Sequence, residues 1–505
     1  MRPLLAPDEY VQGARMFDEA QALRHIQALA DDAMEGRRPG TPGGRAAGEY
    51  IAARFAEYGL EPAGPDGSYF QPFTAPYTTV VESPLLSMAF PGGPGQAPFT
   101  RTYTYHADYM PRTQVIGSGQ AEGQVIWLDD CMPGDFAGQD VAGKIILCYA
   151  DTLDEPEGMF ERVLASGASG LLVMDSDLIS PLPRPTYGGG ELFPMPTFYV
   201  TQAIAQDLVA PPRPGTGTGP GQPGLPRTQH TLHSLRSTTA PLSATVRMAA
   251  RIEVLPVEAR NVLGLLPGAD PDHRDEIVVI GAYYDGLGRD PDGTIYNGAY
   301  ANASGVAAVL EIARLWQAQD YRPARSVLFA AWDDSEQGWW GARHYVRHPS
   351  CPLDRTVAML NLNMAGRGRD VLVVGREAVA AQFEASARVY SATVEFIPPL
   401  EWGDSLAFHE GAVPTAILMV VEPSLVGSVY HQPEDDAENI QLESLRAAGV
   451  LAAHSLAAWS GGGPTRPLPD AGPPRTLRDL VLPTPTCVPP WPVGSMTCDH
   501  GQWAR

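Results

Sequence analysis

Between residues 18 and 58 the apolar positions recur at helical spacing. Ala22, Ile26, Leu29 and Ala30 share one face of a first predicted helix, and Ala47, Tyr50, Ile51, Phe55 and Tyr58 share one face of a second. The turn-forming run Glu35-Gly36-Arg37-Arg38-Pro39-Gly40-Thr41-Pro42-Gly43-Gly44 separates them, and Gly59 stands where a helix-terminating glycine is expected. From about residue 110 the apolar runs shorten. Gln124–Leu128 and Lys144–Tyr149 read as buried strands, and Phe160–Ala168 as a helix leading into the strand Gly170–Met174. Residues 211–239, rich in Pro, Gly, Thr and Ser, read as a long surface loop.

A third texture begins near Arg260. Ile277-Val278-Val279-Ile280-Gly281 is apolar at every position, the signature of a strand covered on both faces. Ser304–Trp316 reads as a helix with Asn302 as its N-cap, and Ser326–Trp332 and Thr356–Asn363 as further buried strands. Strands alternating with helices predict an α/β class with a mixed, mostly parallel sheet sandwiched by helices. After Ser460 the chain turns Pro-rich, an extended or disordered arm. The expected organisation is one unit from 18–110 with 251–460, a β-rich insert at 111–250, and a tail at 461–505.

Composition narrows this picture. At 505 residues the chain exceeds one ordinary core, and 44% hydrophobic with 18% charged residues is normal for a folded domain. A net charge of -23 with no Lys/Arg cluster argues against nucleic acid as a partner, and mildly favours amine-bearing molecules. No apolar window is long enough for a membrane span, so no membrane partner is expected. The start Met1-Arg2-Pro3-Leu4-Leu5 lacks the apolar run of a signal peptide, which predicts a cytoplasmic location. Five scattered cysteines form no Cys-x-x-Cys pair. Cys487 and Cys498 are close enough to pair, but reduced thiols are expected throughout.

Chemistry in open α/β sheets sits at the carboxyl ends of strands. Here those ends read Gly281-Ala282-Tyr283-Tyr284-Asp285, Gly298-Ala299-Tyr300-Ala301-Asn302-Ala303-Ser304-Gly305, Trp332-Asp333-Asp334-Ser335-Glu336-Gln337-Gly338-Trp339-Trp340-Gly341, Asn361-Leu362-Asn363-Met364-Ala365-Gly366 and Tyr430-His431-Gln432-Pro433-Glu434-Asp435. In this order they resemble the zinc aminopeptidase family that includes glutamate carboxypeptidase, with the glutaminyl cyclases as a divergent branch. Gly143-Lys144-Ile145-Ile146-Leu147 and Gly167-Ala168-Ser169-Gly170 resemble a protease-associated domain in the insert. The resemblance covers roughly residues 18–460.

It implies two zinc ions held by a His, a bridging Asp, a Glu, a second Asp and a final His, with an adjacent Glu as general base. The matching positions here are Tyr283, Ala301, Glu336, Asn363 and His431, and the general base is Ser335. Asp285 and Asp404 keep the positions beside the ligands. Only Glu336 and His431 survive as ionisable ligands, so no cofactor is expected. A single zinc, if present, would use that pair. Replacing three carboxylates with Ala301, Ser335 and Asn363 while losing two dications is charge-compensated, as a pocket kept folded without metal requires.

The leading expectation is a metal-independent enzyme acting by acid/base chemistry on a small molecule or short peptide bearing an amine or amide, by cyclisation, acyl transfer or hydrolysis. Glu336, His431, Asp285, Tyr283, Ser335, Asn363 and Asp404 are its catalytic candidates. Asp334, Trp339, Trp340 and Tyr300 are its substrate-binding candidates. A Ser335–His431 nucleophile pair is one version. The rival readings are an inactive pseudopeptidase scaffold, with Glu336 and His431 as hydrogen-bonded relics and Trp339 and Trp340 filling the vacated zinc volume, and a residual single-metal peptidase. Glu434-Asp435-Asp436 reads as a solvated loop, and His409 and His454 as surface or packing residues.

Overall fold

The computed structural model describes residues 12–461 apart from 93–96, 112–115, 150–157, 175–183, 185–191, 210–241, 243, 376, 391, 398–402 and 423–428. The loop expected at 211–239 and the Pro-rich tail with Cys487 and Cys498 lie outside the described residues. The described residues up to Thr78 and from Val254 onward form one compact unit, and those from Thr79 to Glu253 a second. The first division falls inside a continuous strand, Phe70–Phe90, where composition gives no local sign of it.

The first unit is built on α1 (Glu19–Leu29), α2 (Pro42–Glu57), β1 (the Val254–Leu266 end of the strand Thr245–Leu266), β2 (Ile277–Tyr283), α3 (Ser304–Ala318), β3 (Ser326–Trp332), α4 (Trp340–Arg347), β4 (Thr356–Leu362), β5 (Asp370–Gly375), α5 (Glu377–Tyr390), β6 (Val394–Ile397), α6 (Asp404–Glu410), β7 (Thr415–Val421) and α7 (Leu442–Ser460). The strand order is β6-β5-β7-β4-β2-β3-β1. Neighbours β7, β4, β2 and β3 run parallel, while β1 and β5 are antiparallel to β3 and β7.

The all-apolar central strands follow from burial on both faces. Val278, Ile280 and Ala282 point to a core shared with α1, α2, α3 and α7, whereas Ile277, Val279 and Tyr283 point to a second core shared with α4 and α6. Both helices expected before residue 58 form. Asp18 caps α1 by accepting from Ala20 and Gln21 N–H, and Thr41 caps α2 by accepting from Gly44 N–H. Gly59, at φ +74°, follows the end of α2 as expected.

Asn302 is not the N-cap of α3; Ala303 occupies that position. The Asn302 carboxamide instead sits in an irregular turn, where its oxygen accepts from Gly305 N–H at 3.2 Å and Met364 N–H at 2.9 Å. It thereby ties the start of α3 to the end of β4, a long-range role invisible in a local capping pattern.

The second unit has its own sheet. Gly119–Trp127, Ile145–Tyr149, Gly170–Met174 and Thr197–Val200 pair in parallel, with helices Met159–Ala165 and Gln202–Val209. Cys131 and Cys148 form a disulfide, with Cα atoms 5.7 Å apart. The expectation of reduced thiols fails here. The fold brings together two cysteines whose spacing matches no motif, at a separation that suits a disulfide. Cys351 is buried and free. No helix among the described residues is long and apolar enough to cross a membrane.

Candidate active site

The carboxyl ends of β2, β3 and β4 deliver the polar side chains that the sequence singles out. Beyond Trp332 the chain leaves β3 in a tight turn, with Asp334 in the left-handed region at φ 57° and Gly338 at φ 131°. Hydrogen bonds from Gly338 and Trp339 N–H to the Ser335 carbonyl, and from Gly341 N–H to the Asp333 carbonyl, hold this turn before α4 begins. Asp285, just past β2 and fully buried, clamps the same turn from the other side. Its two oxygens accept from the backbone N–H of Ser335 (3.0 Å) and Glu336 (3.1 Å). Burial, with Asp333 and Glu336 nearby, pushes the Asp285 carboxyl well above the usual range, and the Ser335 N–H opposes that shift.

Two side-chain pairs result. Ser335 Oγ donates to Asp404 Oδ1 at 2.5 Å. The Glu336 carboxylate lies 3.5 Å from His431 Nε2, and both side chains are 6% exposed. Thus Ser335 pairs with Asp404 and not with His431, which corrects the nucleophile pair conceived from sequence. Asp404 is pushed up to about 7, chiefly by burial and opposed by the Ser335 hydroxyl. Its second oxygen, Oδ2, and Oε1 of Glu336 have no hydrogen-bond partner in the structure. Tyr283 faces the same carboxyls. Burial first, then Glu336, raises its phenol well above 10, so it remains an O–H donor. Asn363 is buried with its Oδ1 unpartnered. His431, at φ 55°, stacks on Tyr430 with ring centroids 3.7 Å apart.

The remaining candidates divide. Asp334 is fully buried with neither carboxyl oxygen partnered, and burial beside Asp333 raises it well above its usual range. Trp339 is half-buried, 5.9 Å from the Arg343 guanidinium. Trp340 donates from its indole to the Gln337 carbonyl and packs on Phe73, Ala75 and Ala259, so it serves as packing in this state. Tyr300 does not join the group: its hydroxyl donates to the Val420 carbonyl and its side chain is fully buried.

Asp435 overturns its reading as part of a solvated loop. It is 2% exposed, and its carboxylate accepts from Tyr300 N–H at 2.7 Å and Ala301 N–H at 3.1 Å. Burial lifts it to about 6, against those two donors and Arg37. The neighbouring charges at Glu434 and Asp436 concealed a residue that braces the turn carrying Ala301. Arg37, in the Glu35-Gly36-Arg37 run, is another residue whose role has no local sign in the sequence. Its buried guanidinium donates to the carbonyls of Leu29 (2.7 Å), Tyr284 (2.8 Å), Asn297 (2.5 Å) and Gly298 (2.9 Å). Asp333 is a third: it accepts from Tyr284 OH and Arg260 N–H, both through Oδ2, and sits at about 6 because of burial.

Of the positions that the resemblance assigns to metal ligands, Glu336 and His431 keep a carboxylate and an imidazole, 3.5 Å apart. Among the described residues no group of three His, Cys, Asp or Glu side chains converges in a metal-holding arrangement. Chemically, a carboxylate against an imidazole can carry a proton, and a serine hydroxyl against a desolvated carboxylate can be activated toward a carbonyl.

Residues 261–456 match the sequence family described as peptidase family M28. A probable zinc metalloprotease of Pyrenophora teres f. teres (strain 0-1) is 32% identical over 121 residues, which cover 23% of this chain and 24% of that protein. The aminopeptidase NAALADL1 of Mus musculus is 31% identical over 154 residues, 29% of this chain and 18% of the mouse protein. The chain therefore spans about a quarter or less of the length of these relatives. Among solved structures, an aminopeptidase from Aneurinibacillus sp. strain AM-1 superposes with a TM-score of 0.66 at 18% identity, covering 93% of this chain and all of that one. The zinc aminopeptidase BSAP of Bacillus subtilis gives 0.61 at 18% identity, covering 89% and 97%. These likenesses show the zinc-aminopeptidase fold.

Proposed function

We propose that the peptidase family M28 domain at residues 261–456 acts on a short peptide or an amino-acid-derived amine or amide, by acid/base chemistry and without a two-zinc centre. The observation that carries this reading is the Glu336–His431 pair, 3.5 Å apart and buried, where the resembled enzymes place metal ligands.

The donor set does not fit two zinc ions. Ala301, at the bridging position, has no donor atom. Without a bridging carboxylate two dications would repel across the site. Tyr283 would have to bind as a phenolate, and burial moves it away from that form. Asn363 offers only a neutral amide oxygen, which is a poor substitute for a carboxylate. A substrate amine could hydrogen-bond to the carboxyls gathered here, since Asp404 and Glu336 each keep one oxygen without a hydrogen-bond partner.

Two measurements test this. Elemental analysis of the purified protein is expected to give well under one zinc per chain; about two per chain would overturn the metal-free reading. Hydrolysis of a panel of aminoacyl p-nitroanilides should persist after chelation. Glu336→Gln and His431→Ala should each lower kcat by about 10²–10⁴-fold with the melting temperature little changed. Unchanged turnover in both variants would remove this pair from the chemistry, and no turnover by the wild type on any substrate would favour a binding scaffold.

A further inference from the structure

We propose that Ser335 is a nucleophile and Asp404 its proton acceptor, so that the domain works through an acyl-serine intermediate. This rests on the amide-directed function proposed above and adds a covalent step to it. At the corresponding position the resembled enzymes need a general-base carboxylate for water; a serine cannot take that part, but it can attack a carbonyl itself.

Geometry carries the inference in three ways. First, the backbone of Ser335 is held on both sides: its N–H is bonded to Asp285 Oδ1 at 3.0 Å, and its carbonyl accepts from Gly338 and Trp339. The hydroxyl is then the one free rotor of the residue, and it points at Asp404 Oδ1 at 2.5 Å. Second, Asp404 is fully buried and its other oxygen has no hydrogen-bond partner. A carboxylate shut away from solvent is a stronger base than an exposed one. Third, the next residue along the chain, Glu336, is paired with His431, so a separate proton carrier stands beside the nucleophile.

The sequence of steps closes without any other reagent than water. Ser335 Oγ bonds to the amide carbonyl carbon while its proton passes to the Asp404 carboxylate. The C–N bond breaks, and Asp404 returns that proton to the departing amine, leaving an ester on Ser335. Water then adds to the ester carbonyl, giving one proton to the Glu336–His431 pair. The C–O bond breaks, the pair returns the proton to Ser335 Oγ, and the carboxylic acid leaves. An internal amine in place of water would give a cyclised product by the same route.

The test uses the full chain and a fluorophosphonate probe, read by intact mass and peptide mapping, alongside the aminoacyl p-nitroanilide assay. A single adduct on Ser335 is expected, absent in Ser335→Ala and formed about 10²-fold or more slowly in Asp404→Asn. If Ser335→Ala keeps wild-type turnover and the wild type takes no label, the nucleophile proposal falls while the acid/base function stands. If the wild type neither turns over nor labels, both fall.

Discussion

His25 illustrates how burial alone can set a chemical property. It is 1% exposed, with Nδ1 2.7 Å from Tyr50 OH and Nε2 3.1 Å from Tyr58 OH. Burial, reinforced by Arg54 and Arg24, lowers it to about 4. In the unfolded chain the imidazole binds a proton near 6.5, so between pH 6.5 and about 4 the unfolded state holds more protons than the folded one. Stability contributed by neutral His25 is therefore present above 6.5 and lost as pH falls toward 4. Denaturant melts of His25→Gln across that window should show a shallower fall than the wild type; an identical slope would assign the acid sensitivity elsewhere. The carboxyls behave oppositely. Asp333 and Asp435, raised to about 6 by burial, oppose stability as pH climbs from about 4 to 6. None of these assignments is readable from residue type, because each depends on which groups the fold shuts away from water.

At the level of elements, α2 shows how one helix start controls the site. Its first turn, Pro42-Gly43-Gly44, lies directly on the turn Asp32–Arg37. A Cβ on Gly43 would meet the Met34 carbonyl oxygen at 1.9 Å, so the helix and the turn would have to part. That turn carries Arg37, whose four carbonyl contacts gather the ends of β2 and the segment before α3. Gly43→Ala should cost about 1–3 kcal/mol and lower activity with it. Gly134→Ala, which meets nothing within 4 Å, should change neither. Equal melting temperatures for the two variants would refute the close packing. The sequence marked both helices and the intervening turn by periodicity and by glycine and proline content. It could not mark the contact, since glycine there reads equally well as a loop residue.

For the whole molecule, the disulfide has the widest consequence. Cys131–Cys148 closes a loop with a separation of 17 residues in the second unit, with Cys148 inside the strand Ile145–Tyr149. A link of that span stabilises by about 3 kcal/mol in the chain-entropy account. Reduction with dithiothreitol, or Cys131→Ser with Cys148→Ser, should lower the melting temperature of the second unit and leave that of the first in place. A melt unaffected by reductant would show that the bond contributes nothing. The pair also weighs against the cytoplasmic expectation, because such bonds persist in oxidising compartments.

Periodicity, apolar strand runs and five ordered motifs were enough to predict the α/β class, the helices around residues 19–57 and the central strands, and to single out Tyr283, Asp285, Ser335, Glu336, Asn363, Asp404 and His431 as candidates. These signals are local, or repeat at a spacing set by backbone geometry, and so they survive in one dimension. Tertiary structure alone decided who meets whom. It gave Ser335 to Asp404 and His431 to Glu336, turned Tyr300 into the core, and buried Asp435 beneath two backbone N–H groups. Those pairings join residues from 69 to 135 positions apart, and they depend on sheet order and on the exclusion of water, neither of which any short stretch of sequence contains.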